Sequence, residues 1–286
     1  MLLPIAFLIA WVAPSAACGC KECKAADAEV VQRPLNKQTF LTRAETESFS
    51  VYSYDSTWPA ADVGKLAEER KSAIYEHWRG KDSPDAWKPK CLLVLHLSRQ
   101  SYLAAVGRGG ERTLGSSLLD VREGVCRSRR VDLLTDGSNK ITALPHELTH
   151  VVISDIFRGK RLPQWLDEGI AILADAHEKQ LRHAQDWRQA KAQGRGFSVG
   201  GLVGLENYPP ESQFPAFYGG SASLTALLAR RGDSTRLLKF AELSLEHGYD
   251  QALRDVYQIQ GLAELERLWR QSDDTAAYSL AQIAKQ

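Results

Sequence analysis

Residues 144–152, Leu-Pro-His-Glu-Leu-Thr-His-Val-Val, constrain this chain more than any other stretch. His146 and His150 stand four apart, a spacing that stacks two side chains on one face of an α-helix, so both imidazoles can reach a single ion. Glu147 falls one step round the helix, beside that ion. There it can take a proton from an activated water rather than bind the metal itself. The motif, H-E-x-x-H, is a signature of zinc hydrolases and calls for a third ligand.

Downstream the apolar helical pattern runs through Val151, Val152, Ile153 and Ile156 and breaks in the polar stretch 158–161. A second helix is expected there, with Pro163 at its first position and Asp167 and Glu168 in its early turns, where carboxylates suit the positive end of the helix dipole. Taken alone, that acidic pair reads as helix-terminus electrostatics. Beside the first motif it reads differently, because a catalytic zinc takes three protein ligands and keeps one position open, and two His plus one Glu is such a set. Glu168, on the next helix of a tight helix-turn-helix, can fold back towards His146 and His150. The alternative third ligand, a His six residues beyond the motif after an intervening Gly, is absent, Ile153 standing at the Gly position and Ile156 at the His, so the metzincin pattern is excluded. Asp155 falls on the wrong helical face for the ion and is expected to be solvent-facing or capping.

The first phrase, together with Leu162-Pro163-Gln164-Trp165-Leu166-Asp167-Glu168-Gly169-Ile170-Ala171, resembles the peptidase-MA-like family of gluzincin zinc metalloproteases, many of them bacterial envelope proteins. The resemblance implies an α+β, zincin-like fold: a strand-rich N-terminal lobe, the active-site helix, then a helical C-terminal lobe. It implies Zn2+ held by His146, His150 and Glu168, with Glu147 as general base, and a peptide or protein substrate hydrolysed through a zinc-activated water. A third phrase, Phe217-Tyr218-Gly219-Gly220-Ser221, is similar to the Tyr-containing helix start that follows the site in this family, which makes Tyr218 the expected oxyanion donor, with Tyr208 as its competitor and a packed aromatic as the plainer role. The sequence departs from the family in two places. Pro145 precedes the first ligand and suits a helix only if that helix starts a few residues earlier, near 140–142. Ile172 occupies the place of an acidic partner for a ligand His, leaving Asp167 and Asp175 as candidates. By the same resemblance, residues 127–134 form the sheet edge against which an extended substrate pairs.

The 286 residues are 44% hydrophobic and 25% charged with a net charge of +1, which describes a globular chain and gives no support for nucleic acid as a partner. The short basic run Arg127-Ser128-Arg129-Arg130 reads as a solvated strand face. Residues 2–13 form an apolar segment too short to span a bilayer and are followed by small residues, so residues 1–17 read as a signal peptide despite the lack of an early Lys or Arg. Cys18 directly follows Ser15-Ala16-Ala17, which also resembles a lipoprotein signal. Export is expected either way, to the periplasm or medium, or to a membrane anchored through lipidated Cys18. Lipidation would account for the odd cysteine among Cys18, Cys20, Cys23, Cys91 and Cys126. The rest could pair as Cys20 with Cys23 and Cys91 with Cys126, or the last two could be unpaired core residues.

Residues 18–45 read as a linker or anchor segment, 46–272 as the catalytic domain and 273–286 as a tail. Strands are expected near 48–54, 91–97, 117–121 and 124–134, and a long amphipathic helix over 63–78. Helices are expected near 175–192, 222–231, 235–246, 250–257 and 262–271, with 194–215 as a Gly- and Pro-rich loop. The remaining histidines, His77, His96, His177, His183 and His247, lack ligand spacing and read as surface or packed residues. A rival class is an exported zinc-binding scaffold or interaction protein that keeps the zincin fold without hydrolysis. Glu147 argues against it, since a purely structural site has no need of a base.

Overall fold

The computed structural model describes residues 10–11, 40–80, 86–107, 109–135 and 140–272, and over these the protein is mixed α+β. Its internal contacts divide it into two units, one of residues 1–72 with 84–160, the other of residues 73–83 with 161–286. The expected signal peptide (apart from Ala10 and Trp11), Cys18, Cys20, Cys23 and the tail lie outside the described residues. Among the described residues no helix is long and apolar enough to cross a membrane.

The first unit is built on one sheet in the order β1-β5-β6-β4-β3-β2. Its body is five strands: β2 (Thr42–Glu45), β3 (Phe49–Ser53), β4 (Cys91–His96), β5 (Gly115–Arg122) and β6 (Val125–Leu134). The two-residue β1 (Ala10–Trp11) lies parallel beside β5. β2 lies within the segment read as linker, so the folded region reaches further towards the N-terminus than its composition indicates. Helix α1 (Ala60–Arg79), whose residues from Ala73 on count with the second unit, follows β3 and leads to the parallel β4, the connection that parallel strands require, and α2 (Arg99–Val106) follows β4. β5 and β6 form a hairpin whose two turn residues, Glu123 and Gly124, both have positive φ, the left-handed pair that matches the twist of flanking strands. Near its tip the register steps from Asp120 opposite Ser128 to Val121 opposite Cys126, passing over Arg127. This bulge puts Cys126 on the same face as Arg129 although they are three apart.

Two expectations are corrected here and one left open is decided. β6 is not the sheet edge: it pairs with β4 on one side and β5 on the other, so β5 is the outer of the two. The basic run is not a solvated face throughout, because β6 is interior from Arg129 onward. Arg129 is 5% exposed and Arg130 7%. Arg129 pairs with Asp155 at 2.6 Å, which also gives Asp155 its partner, and Arg130 forks onto Asp132 through two 2.9 Å bonds. Asp132 in turn meets His96 Nε2 at 2.9 Å. Cys91 and Cys126 are both free. Strand register sets Cys91 opposite Arg129, three residues along β6 from Cys126, well beyond the reach of a disulfide. Burial pushes both thiol pKa values up, so neither is primed as a nucleophile.

The last helix of this unit, α3 (Leu144–Ile156), packs on β5 and β6 and is buried along most of its length. It starts at Leu144, later than expected, which places Pro145 in the first two positions, where its missing N–H costs no helical hydrogen bond.

The second unit is helical: α4 (Gln164–Leu173), α5 (His177–Ala192), the short α6 (Val199–Val203), α7 (Phe214–Arg230), α8 (Ser234–His247), α9 (Tyr249–Tyr257) and α10 (Leu262–Gln271). Pro163 is the N-cap of α4 rather than its first residue. Helix α7 is the hub, with α4 and α5 packed on it at glycines. A Cβ on Gly169 would lie 2.0 Å from Thr225 Oγ1 and 2.7 Å from the Ser221 carbonyl, and one on Gly219 would lie 2.5 Å from the His183 carbonyl. The stretch 194–215, expected as loop, holds α6 and a single 3-10 turn at Glu211–Gln213 before α7 begins at Phe214.

Candidate metal centre

Helix α3 carries His146 and His150 as the motif predicts, on one face one turn apart, with ring centroids 4.8 Å from each other. His146 and Glu147 are fully buried and His150 is 2% exposed. A helix with buried residues this far round its circumference needs a close wall, and β5 provides part of it, at Glu147. A Cβ on Gly115, the first residue of β5, would lie 2.6 Å from Glu147 Cγ and 2.7 Å from its Oε1. Glycine is thus the residue that lets the strand pass directly against the Glu147 carboxylate. One turn below, the Thr149 hydroxyl donates to the Pro145 carbonyl at 2.8 Å.

Glu168 lies in the second turn of α4 and is fully buried. One ligand atom from each of His146, His150 and Glu168 lies within 4.8 Å of the others, the only such group of His, Cys, Asp or Glu among the described residues. A cation fits this cluster by its donor chemistry: two imidazoles and one carboxylate, all buried, are a costly combination without a positive charge among them. Asp155, set aside as a ligand from its helical face, is instead paired with Arg129.

The Glu168 carboxylate has a second neighbour that spacing did not single out for it. Tyr208, in the irregular stretch between α6 and α7, donates its hydroxyl to Glu168 Oε1 at 2.5 Å. Burial, and then the adjacent Glu168 carboxylate, push the phenol pKa well above its ordinary value. Tyr218, on α7, is 1% exposed, its ring packed on Phe217 at 5.2 Å, Phe214 at 5.8 Å and His183 at 6.0 Å. Of the two tyrosines weighed from the sequence, Tyr208 bonds directly to Glu168. Asp175, a candidate partner for a ligand His, pairs with Lys179 at 2.8 Å.

Of the other histidines, His96 and His183 are packed, His77 is half-buried, and His177 and His247 are exposed. Comparison of the chain with protein-family models and with curated proteins returns no match.

Proposed function

We propose that this protein is a zinc-dependent peptidase of the gluzincin type, with His146, His150 and Glu168 as the metal ligands and Glu147 as general base. The observation that carries the reading is the convergence of two helix-borne imidazoles and one carboxylate, with a further carboxylate, Glu147, on the same helix as the imidazoles. A closed structural site would not need that fourth group. Bound zinc supplies Lewis acidity, polarising a carbonyl and bringing a water into the neutral range of acidity.

The chain's own residues do the rest. Glu147 accepts a proton from the attacking water and returns it to the leaving amine nitrogen. Gly115 holds the strand close enough to Glu147 to limit where its carboxylate can swing. Tyr218 is the proposed oxyanion donor by family resemblance, a role in which one lost donor costs about 10²–10³ in turnover. Two His and one carboxylate also suit non-haem iron, so metal content is measured first, with zinc the expected metal.

The decisive comparison incubates the zinc-loaded protein and its Glu147→Gln variant with a diverse peptide library, reading products by mass spectrometry. The parent is expected to yield products and Glu147→Gln to bind zinc equally while yielding none above background. Equal cleavage by both would remove Glu147 from the mechanism. No cleavage by either would return the protein to the class of zinc-binding scaffolds.

A further inference from the structure

We propose that Tyr208 is a positioning residue for the metal ligand Glu168, holding one carboxylate oxygen so that the other is presented to the ion. This rests on the metal-site reading above but not on peptidase activity. The contact is a charge-assisted O–H···O bond of 2.5 Å, at the short end of the range for a hydroxyl donating to a carboxylate. With Oε1 engaged, rotation of the carboxylate about its terminal torsion is restrained, and Oε2 becomes the oxygen available for single-point coordination. Zinc ligands are commonly oriented in this way, by partners one bond further out that fix the donor atom.

Such a device works only if the phenol is itself fixed, and Tyr208 comes from a stretch without regular structure. Two features fix it. Its ring stands edge-on to Phe217, with centroids 5.6 Å apart at 76°, and to Phe214, at 6.3 Å and 72°. Edge-to-face pairs of this kind hold orientation as well as bury area. Its backbone precedes Pro209-Pro210, which confines Tyr208 to extended conformations. The aromatic cluster at the start of α7 therefore serves as the mount, and the hydroxyl is what it delivers. The same geometry separates Tyr208 from the oxyanion role, since its proton is already given to Glu168.

The test is a zinc dissociation constant, measured by competition with a chromophoric chelator. Tyr208→Phe keeps the ring and its packing and removes only the hydroxyl. It is expected to weaken zinc binding about 10–100-fold, the usual effect of losing such a partner. A double-mutant cycle separates positioning from general loosening: in a Glu168→Ala background, Tyr208→Phe should have no further effect on zinc affinity. A Tyr208→Phe dissociation constant within twofold of the parent overturns the proposal, as does an equal loss in the Glu168→Ala background. A parent that binds no zinc overturns the metal-site reading and this inference with it. A parent that binds zinc tightly and cleaves nothing overturns the peptidase reading alone.

Discussion

At the scale of single residues, the site depends as much on a missing side chain as on those present. Gly115 carries no ligand and no proton, yet an added methyl there would meet Glu147 Cγ at 2.6 Å and Ala143 Cβ at 2.8 Å. Gly115→Ala is therefore expected to displace the Glu147 carboxylate and cost about 1–3 kcal/mol of stability from overpacking. Turnover should fall with zinc content unchanged, and parent-like kinetics in a correctly folded variant would refute the close approach. Tyr208 shows why sequence reading stops where it does. His146, Glu147 and His150 were legible because their relation is local to one helix, and Glu168 because it lies on the next. Tyr208 reaches Glu168 across 40 residues from a stretch with no period, and nothing local to it reports that bond.

At the scale of elements, the crossing of α4 on α7 sets where Glu168 sits. Gly169, the residue after Glu168, lets α4 approach until its hydrogens meet Thr225 and the Ser221 carbonyl. Alanine would gain about 1 kcal/mol in helix propensity. Here the clash wins, because the Ser221 carbonyl is backbone and cannot rotate away. Gly169→Ala should lower stability by about 1–3 kcal/mol in urea unfolding and weaken zinc binding together, since the displaced helix carries Glu168. Adding Thr225→Ala should restore only part of the loss. Stability unaffected by Gly169→Ala would show that α4 and α7 are not seated this closely. Most elements were legible from period and punctuation, but strand order was not. Residues 125–134 were readable as a strand, whereas their place between β4 and β5 depends on pairing with segments distant in sequence. The burial of Arg129 and Arg130 follows from that place, and their partners Asp155 and Asp132 decide the cost.

At the scale of the whole molecule, the proposed metal site would tie folding to metal supply. An ion that binds the folded protein and not the unfolded chain adds about 2.7 kcal/mol when free metal is 100-fold above its dissociation constant. For a chain of this size that corresponds to a rise of roughly 4–6 °C in unfolding midpoint. Calorimetry with zinc and with a chelator should show that difference, and Glu168→Ala should shrink it. An identical midpoint in both conditions would mean that the cluster binds no metal of consequence. The bulge that passes over Arg127 bears on a different property, behaviour in concentrated solution. It adds local twist to the β5–β6 ribbon, and β5 is itself paired by the two-residue β1 at Leu118 and Leu119, so this side offers no long flat template for another copy to extend. At the other margin β2 is only four residues long, and Arg43 pairs there with Glu45. Both margins thus discourage the strand-to-strand stacking through which an exposed sheet seeds fibres.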